Sequence, residues 1–361
     1  MEYKLVCTRC GHVEADAAFR CSRCNAILEV KMAYSSMKVG KGFAKQRVKN
    51  LKYLPFFPIK KFLIKSDEGG TPLVGKHFGS GQVMLKMETK NPTKSFKDRG
   101  SSVEINKAKE LGAKSVCCAS TGNMGISVAR YAKLAGIRAT IFISKDADRR
   151  KIAMIKQHNA KIIKVNGDFN VSLKMAEAFA KNTGAFVCGD YHFRKEGQKS
   201  VMFEIIDQLR YKVPDFVFVP VGNSTLLAAM HKALLEYRGL RLIRKMPKLV
   251  AVQSDGCDPL IRAYNSNSKI RYMKPRTIAD AIAVGYPTFG FEGIRALRKT
   301  RGIALNVSED RIRDALVVLG DMGIGAEAGG ATGFAGYLKM YESNPKLLKG
   351  KNSVIVITGN N

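Results

Sequence analysis

The sequence predicts an α/β protein that contains two doubly wound parallel sheets and, at its N-terminus, a small cysteine-rich module. Three observations lead to this prediction. Short, continuous apolar segments alternate with helix-length segments from about residue 115 onwards, a pattern typical of parallel strands that helices cover on both faces. Four cysteines are crowded into the first 24 residues. The length of 361 residues is enough for two or three domains.

The predicted strands and helices follow one another in regular alternation. We expect strands at 115–119, 139–143, 162–165, 186–188, 216–221, 249–253 and 354–357. We expect helices at 124–135, 149–158, 171–182, 197–211 and 226–237. Residues 31–70 are basic, aromatic and proline-containing, and we expect them to pack as an extension on the next domain. The predicted domains are the module at 1–30, a small α/β domain at 101–194, and a large domain formed by 31–100 and 195–361.

The chain is strongly basic. It has 61 Lys and Arg residues against 30 Asp and Glu residues, a formal net charge of +31. A nucleic-acid-binding protein is one interpretation, but the lysines are spread over predicted helix faces, which is typical of a solvated surface. No apolar run is long enough to cross a bilayer, and the first residues do not resemble a signal peptide. We therefore expect a cytoplasmic protein with no membrane partner and no specific nucleic-acid partner.

The N-terminal cysteines form two CxxC pairs, Cys7 with Cys10 and Cys21 with Cys24, and ten residues separate the pairs. Two such pairs can bring four thiolates to one tetrahedral centre, which suits zinc. In a cytosolic chain, CxxC pairs favour a metal over a disulfide. Four cysteine ligands leave no open coordination position, so we predict a structural zinc in a zinc-ribbon-like module. The alternative is a set of reduced thiols that bind no metal.

Four short polar loops lie at the ends of predicted strands or helices. They are 91–100, 120–123, 220–225 and 357–360. In parallel α/β folds, ligands bind at the carboxyl ends of the strands, which is where loops of this kind lie. Together the four loops can hold one small, anionic, aldehyde-bearing cofactor.

Each loop offers a different chemical group. Lys97 lies at an apparent helix start, beside an aromatic residue and an acid–base pair, and burial and a helix N-terminus both favour the neutral amine that a Schiff base requires. Gly222 and Ser224 precede a helix whose N-terminal amides can bind a phosphate. Ser120 precedes another helix, where the carboxylate of an amino acid can bind. For both of these helix starts, the alternative interpretation is plain N-terminal capping.

These loops resemble the motifs of the pyridoxal-phosphate enzymes with the tryptophan synthase β-subunit fold, also called fold type II, and among them most resemble those of threonine synthases. The matching segments occur in order over residues 71–361, and the cysteine-rich N-terminus resembles an extension that some members carry. The segments are Asn91–Thr93 with Ser95–Gly100, Ser120–Asn123, Glu196–Lys199, Pro220–Asn223 and Val356–Asn360. The resemblance implies this fold, pyridoxal 5'-phosphate as the cofactor, and a large domain that binds it.

The resemblance also implies roles for individual residues toward the cofactor. Lys97 would bond the aldehyde and then shuttle protons. Asn123 would bond the ring hydroxyl, and Thr358 would face the ring nitrogen. The residues that would bind the phosphate are Gly222, Asn223, Ser224 and Thr225.

For the substrate, the resemblance implies that Ser120 and Thr121 meet the carboxylate and that Arg194 binds a phosphate bidentately. The substrate positions depart from the family pattern more than the cofactor positions do. The departures are Lys94 in place of Gly, Met124 and Gly125 in place of Thr-Ser, Cys188 and Gly189 where Asn and Ser are usual, Ser224 and Thr225 in place of a Gly-rich pair, and Ala328, Gly329 and Gly330 in place of Pro-Ala-Ser. Such changes can redirect specificity, because polar groups in a site discriminate strongly between substrates.

The implied activity is that of a lyase that converts O-phospho-L-homoserine and water to L-threonine and phosphate. The alternative is a paralogous enzyme with the same cofactor that carries out β-replacement or β-elimination on O-phosphoserine or a related amino acid, as in cysteate or cysteine synthesis or dehydration. The expected partner is thus a small phosphorylated amino acid. The resemblance suggests a homodimer, although monomers also occur in the family.

Overall fold

The computed structural model describes residues 2–33, 43, 49–64, 66–78, 81–120, 122–145 and 147–361. Within these residues the chain divides into two compact units. The first unit consists of Met1–Gly69 and Lys97–Ser200, and the second of Gly70–Phe96 and Val201–Asn361. Thr121, one of the predicted substrate residues, lies outside the described residues.

The first unit begins with a small antiparallel sheet that contains three strands in the described part of the chain. These strands are β1 (Tyr3–Cys7), β2 (Val13–Glu14) and β3 (Leu28–Met32), in the order β2-β1-β3. Cys7 and Cys21 are buried in its core together with Leu5, Leu28 and Val30. A core of this size is too small to stabilise an independent module.

The first unit also contains a parallel sheet in the order β8-β7-β6-β9, counted over the described residues. Its strands are β6 (Ser115–Ser120), β7 (Arg138–Ser144), β8 (Lys161–Val165) and β9 (Phe186–Cys188). Its helices are α1 (Lys97–Glu110), α2 (Asn123–Ala135), α3 (Arg149–Lys156), α4 (Phe169–Thr183) and α5 (His192–Gln198). The predicted parallel sheet is therefore confirmed here.

The second unit is built on a sheet in the order β12-β11-β10-β13-β5-β4, again for the described residues. Its strands are β4 (Leu73–Phe78), β5 (Gly81–Met87), β10 (Phe216–Pro220), β11 (Lys248–Ser254), β12 (Ile303–Val307) and β13 (Ser353–Ile357). Its helices are α6 (Ser200–Gln208), α7 (Thr225–Gly239), α8 (Pro259–Asn265), α9 (Gly290–Lys299), α10 (Glu309–Asp321), α11 (Ala328–Ser343) and α12 (Pro345–Leu348).

Two expectations about the elements are wrong. The second sheet is mixed rather than wholly parallel, because β4 pairs with β5 in an antiparallel hairpin; the two strands follow each other too closely for a crossover connection. The helix predicted at 197–211 is two helices, α5 and α6, which meet at Lys199. There the Ser200 hydroxyl donates a hydrogen bond to the Gly197 carbonyl at 2.7 Å, a local bond that competes with the regular helical ladder.

The units also differ from the predicted domain boundaries. Residues 31–100 were assigned as a whole to the large domain, whereas the described residues up to Gly69, and α1 from Lys97, belong to the first unit. The segment before Gly69 binds α1 through its backbone: the amides of Leu63 and Ile64 donate to Asn106 Oδ1 at 2.6 and 3.1 Å. In the described residues, no helix combines the length and the apolar character needed to span a membrane.

Candidate active site

Lys97 is the first residue of α1, and its partly buried position is fixed through its neighbours. The buried Asp98 carboxylate accepts a hydrogen bond from the Ser127 hydroxyl at 2.6 Å, which ties the first turn of α1 to α2. Arg99 is fully buried and donates from Nη1 to Ser200 Oγ at 3.3 Å. The two residues that follow Lys97 are thus held by specific polar contacts, and this is what a covalently acting lysine needs.

Two glycines allow α5 to approach the start of α1 very closely. A Cβ added to Gly197 would lie 2.2 Å from the Arg99 carbonyl oxygen, and one added to Gly100 would lie 2.6 Å from Arg194 Cγ. Real Cβ contacts of this length do not occur, so both positions require glycine. The Glu196–Lys199 and Ser95–Gly100 segments, which were recognised as separate motifs in the sequence, therefore meet where α5 crosses α1.

The 120–123 loop connects β6 to α2. Ser120 Oγ accepts hydrogen bonds from the Gly122 and Gly125 amides at 2.9 and 2.7 Å, so its hydroxyl stabilises the loop, as the capping interpretation expects. Gly122 has a φ of +126°, and the stem of the buried Lys151 lies across it, where a Cβ would be 2.4 Å from Lys151 Cδ. Asn123, the predicted partner of the ring hydroxyl, is buried at the first position of α2.

Two of the departures from the family pattern are neighbours in space. A Cβ at Gly189 would lie 3.6 Å from Met124 Cε, which is ordinary van der Waals contact. At positions 124 and 189, where the family usually has polar groups, this chain has a methionine and a glycine. The Met124 methyl group packs beside Gly189. This part of the first unit is therefore less polar than the resemblance implies.

Arg194 is fully buried, and its guanidinium is surrounded by groups of the first unit. It forms an ion pair with Glu104, donates from Nη2 to Ser101 Oγ at 2.8 Å, and donates from Nη1 to the Lys97 carbonyl at 3.1 Å. Burial raises the pKa of Glu104 to about 7, although Arg194 and the Gly189 amide oppose this rise. The guanidinium is thus held by groups of α1, and the contact with a substrate phosphate that the resemblance implies for Arg194 stays a prediction.

In the second unit, the 222–225 loop connects β10 to the 15-residue helix α7. Asn223 holds the loop to a neighbouring segment: its Oδ1 accepts from the Thr288 amide and its carbonyl oxygen from the Phe289 amide, both at 3.0 Å. Ser224 has a left-handed backbone, with a φ of +65°. Its Oγ is buried and has no hydrogen-bond partner among the described residues.

The absence of Cβ at Gly293 in α9 leaves room for this hydroxyl, because a Cβ there would lie 2.0 Å from Ser224 Oγ. A buried hydroxyl without a partner is unfavourable, and here it lies at a helix N-terminus that favours anions. Together with Gly222 and the buried Thr225, Ser224 therefore fits the phosphate of a cofactor better than it fits a plain cap.

Thr358 follows β13 and is paired through its backbone with the segment that leads to Lys97. Its carbonyl accepts from the Phe96 amide at 3.0 Å, Ser95 and Gly359 form an antiparallel bridge, and the Asn360 amide donates to the Lys94 carbonyl at 3.0 Å. The second unit thus brings the C-terminal motif beside the first half of the lysine motif, as expected for loops that serve one site.

The four N-terminal cysteines form one cluster. All four sulfur atoms lie within 4.8 Å of one another, and the Sγ–Sγ distances for the pairs Cys7–Cys24, Cys10–Cys21 and Cys10–Cys24 are 3.4, 3.6 and 3.6 Å. A tetrahedral zinc with Zn–S bonds of about 2.3 Å has sulfur atoms about 3.8 Å apart. Burial raises the pKa of Cys7, but hydrogen bonds from the Cys10 and Arg9 amides outweigh it and lower that pKa to about 6.

Sequence reasoning did not identify Glu104 and Gly293 as part of these sites. Glu104 lies in the middle of α1, where a glutamate is normally a solvent-exposed helix former, and Gly293 lies in α9, about 70 residues beyond the loop it accommodates. Neither has a local motif.

The chain is similar to known proteins over most of its length. Residues 64–359 match the sequence model of the family described as pyridoxal-phosphate dependent enzyme. A threonine synthase of Methanosarcina acetivorans is 33% identical over 353 residues, which cover 94% of this chain and 87% of that protein. A threonine synthase of Methanocaldococcus jannaschii is 34% identical over 352 residues, 93% of this chain and 87% of that protein.

Solved structures show the same fold at lower identity. A fungal L-serine ammonia-lyase from Rhizomucor miehei has a TM-score of 0.71 at 20% identity, over 81% of this chain and 93% of that one. A maize serine racemase has a TM-score of 0.70 at 23% identity, over 81% and 88% of the two chains. At these identities the likeness is one of fold alone.

Proposed function

Because this chain belongs to the threonine synthase family of pyridoxal-phosphate-dependent enzymes, we propose that it converts O-phospho-L-homoserine and water to L-threonine and phosphate. The observation that carries the proposal is the 33% sequence identity with a threonine synthase. The matched residues cover 94% of the chain and include both units. In this reaction the Cγ–O bond to phosphate breaks, and water adds its oxygen at Cβ. Bound pyridoxal phosphate would supply an electron sink for the carbanion at the substrate's Cα.

Three residues would hold the cofactor's ring. Lys97 would bond the aldehyde and carry protons between substrate carbons, a role that its fixed position at the start of α1 supports. Asn123, buried at the start of α2, would bond the ring hydroxyl. Thr358, buried after β13, would meet the ring nitrogen with a hydroxyl, which does not keep that nitrogen protonated as a carboxylate would.

The cofactor's phosphate would bind at the 222–225 loop. Support comes from the unpartnered Ser224 hydroxyl, from the α7 N-terminus and from Gly222, which lets the backbone approach an anion. Asn223 would act mainly by shaping the loop, since its side-chain oxygen binds the Thr288 amide. Thr225, buried at the first position of α7, would add a second hydroxyl.

We expect Ser224→Gly to weaken cofactor binding and to leave the apoprotein as stable as before or more stable. A hydrogen bond to a charged group contributes about 1.5–3 kcal/mol, which corresponds to about a 10- to 100-fold rise in the Kd for pyridoxal phosphate. In the apoprotein, relief of the left-handed strain and of the unpartnered hydroxyl offsets the backbone entropy of glycine. Titration with pyridoxal phosphate and urea unfolding of the apoprotein measure the two effects.

The matched control is Arg241→Gly. Arg241 is exposed and also has a left-handed backbone, with a φ of +58°. This variant shares the backbone effect but should leave the Kd for pyridoxal phosphate unchanged. If Ser224→Gly and the wild-type protein had equal Kd values for pyridoxal phosphate, Ser224 would not contact the cofactor's phosphate.

The substrate carboxylate would bind at the 120–123 loop. Because the Ser120 hydroxyl is used within the loop, its contribution would be to orient the backbone amides at the α2 N-terminus toward the carboxylate. Thr121 keeps its predicted contact with the carboxylate as a proposal from the resemblance. A homodimer and a cytoplasmic location likewise remain proposals from the resemblance and the composition.

The cysteine cluster would hold one structural zinc ion, and the near-tetrahedral spacing of its sulfur atoms supports this proposal. We expect one zinc per chain in the purified protein, and loss of that zinc together with a lower thermal midpoint in Cys21→Ser. Cys257→Ser, which changes a buried cysteine of the second unit, is the control and should keep its zinc. A wild-type protein prepared with added zinc and still free of metal would contradict the proposal.

The activity is tested by incubating the cofactor-loaded protein with O-phospho-L-homoserine and measuring phosphate and threonine together. Equal amounts of both products are the expected result. Release of neither product, from protein that retains the absorbance of the bound cofactor, would overturn the proposed reaction and keep the family assignment.

A second candidate is β-replacement or β-elimination on O-phosphoserine or a related amino acid. The observation that favours it is the replacement of usual polar groups by Met124 and Gly189, which lie next to each other. The same assay with O-phospho-L-serine decides between the two: phosphate release from this substrate alone would favour the second candidate.

A further inference from the structure

A buried ion pair holds the backbone of Lys97. Arg194, in α5, reaches α1 at three places: the Lys97 carbonyl, the Ser101 hydroxyl and the Glu104 carboxylate. These groups lie on the first two turns of one face of α1, so a single guanidinium spans the start of that helix. The guanidinium is fully buried, and both partners of the ion pair are almost completely excluded from solvent.

Glu104 connects the pair to the sheet. Its second oxygen, Oε2, accepts a hydrogen bond from the Gly189 amide at 3.0 Å, directly after β9. Glu104 therefore holds the guanidinium through Nη2, while Nη1 donates to the Lys97 carbonyl. A buried carboxylate that loses its cation is strongly unfavourable. The ion pair therefore holds the Arg194 side chain against α1.

The close packing of α5 on α1 makes this arrangement rigid. Gly100 leaves the space that Arg194 Cγ occupies, and Gly197 lets the α5 backbone touch the Arg99 carbonyl. A shift of the Arg194 side chain would thus move the first turn of α1. Since an error of about 1 Å in the placement of a reacting group can cost about 100-fold in rate, such a contact matters for the lysine that begins this turn.

We propose that Arg194 and Glu104 are positioning residues, which fix the Lys97 backbone and thereby aim its amine. This inference rests on one part of the proposed function, namely that Lys97 bonds the cofactor. Neither residue touches the reacting atoms. Their effect is expected in the chemistry of the Lys97–cofactor bond and in kcat, rather than in the affinity for a phosphorylated substrate.

The test compares the holoenzyme forms of the wild-type protein, Arg194→Met, Glu104→Gln and Lys195→Met. Lys195 is the matched control, because it is a buried cation of the same helix α5 that forms an ion pair with Glu29 of the N-terminal module. The pH titration of the bound cofactor's absorbance, kcat and KM for O-phospho-L-homoserine, and the thermal midpoint are measured for each protein.

For Arg194→Met we expect the titration midpoint to shift by about one pH unit and kcat to fall about 10- to 100-fold, with KM changed less than about threefold. Glu104→Gln keeps an acceptor for the guanidinium but removes its counter-charge, so kcat should fall and the titration midpoint should shift in the same direction as in Arg194→Met, by a smaller amount. Lys195→Met should lower the thermal midpoint and leave the titration unchanged. A rise in KM with unchanged kcat and titration in Arg194→Met would instead establish a substrate contact and overturn the inference.

Equal effects of Arg194→Met and Lys195→Met on the titration would also overturn it, because the role would then be general stability. If Arg194→Met does not fold, Arg194→Lys replaces it: one ammonium can keep only part of the three contacts, so a titration identical to that of the wild-type protein would again overturn the inference. The cofactor titration needs no substrate. It therefore still tests the inference if the protein does not turn over O-phospho-L-homoserine.

Discussion

Replacement of Lys97 by Ala is expected to lower the rate of threonine formation from O-phospho-L-homoserine by at least about 10³-fold. The variant loses both the bond that orients the cofactor and the base that moves protons, and positioned acid–base catalysis alone contributes about 10²–10⁴-fold. The measurement follows phosphate and threonine together, with the absorbance of the bound cofactor recorded in parallel. We expect the absorbance to return to that of free pyridoxal phosphate.

The control is Lys90→Ala. Lys90 is an exposed lysine that ends the short helix Glu88–Lys90, seven residues before Lys97. Its removal changes the net charge by the same amount and should leave both product formation and cofactor absorbance unchanged. If Lys97→Ala still formed threonine at the wild-type rate, the catalytic lysine would have to be sought elsewhere in the chain.

The polar loops of the candidate site could be predicted from the sequence because each is specified locally. A strand, a short polar turn and a helix start follow one another around 120–123 and 222–225, and this order fixes the loop at the carboxyl end of its strand. The backbone pairing of Ser95 with Gly359 could be expected only because both segments resembled motifs of one family. The residues themselves contain no signal for such a distant pairing.

What the sequence alone could not predict depends on contacts between distant elements. The sequence offers no signal that the Arg194 guanidinium pairs with Glu104, a residue 90 positions earlier on another helix. Pairing of this kind depends on how α5 packs on α1, which glycines at 100 and 197 permit. A sequence pattern reports the chemistry of a side chain, but the fold decides which group it meets.

Two of the departures from the family pattern lie at backbone positions that favour glycine. Lys94 and Ser224 stand where glycine is usual, and both have left-handed backbones, with φ values of +54° and +65°. A side chain in this conformation costs about 1–2 kcal/mol for each residue. Positive φ values outside glycine cluster at functional sites, and here both occur within the predicted cofactor loops.

The second unit contains a buried ion pair whose loss is expected to have the largest effect on stability. Lys86, in β5, and Glu204, in α6, are both fully excluded from solvent and are joined by a 2.5 Å contact. Lys86 Nζ also donates to the Thr71 carbonyl and to Gln208 Oε1, both at 2.8 Å. Glu204 Oε2 accepts from the Gly70 amide at 2.9 Å. The pair therefore ties the start of the second unit to its sheet and to α6.

We expect Glu204→Ala to lower the free energy of unfolding by about 3–5 kcal/mol, because the variant removes the carboxylate that pairs with the buried Lys86 ammonium. Urea unfolding of the holoenzyme measures the change. The double variant Lys86→Met with Glu204→Leu removes both charges and should recover most of the loss, since a well-packed apolar pair can replace a buried ion pair. This recovery separates the cost of an unpaired charge from the value of the pair itself.

A surface pair provides the comparison. Asp310 and Arg313 form an ion pair at 2.9 Å whose side chains are 88% and 56% exposed, so Asp310→Ala should change the free energy of unfolding by less than about 1 kcal/mol. The contrast follows from solvation: water replaces the lost partner of Arg313 but cannot reach Lys86. If Glu204→Ala and Asp310→Ala had equally small effects, water or another group would have to reach Lys86 in the folded protein, and the buried network would not stabilise the unit that carries the 222–225 loop and Thr358.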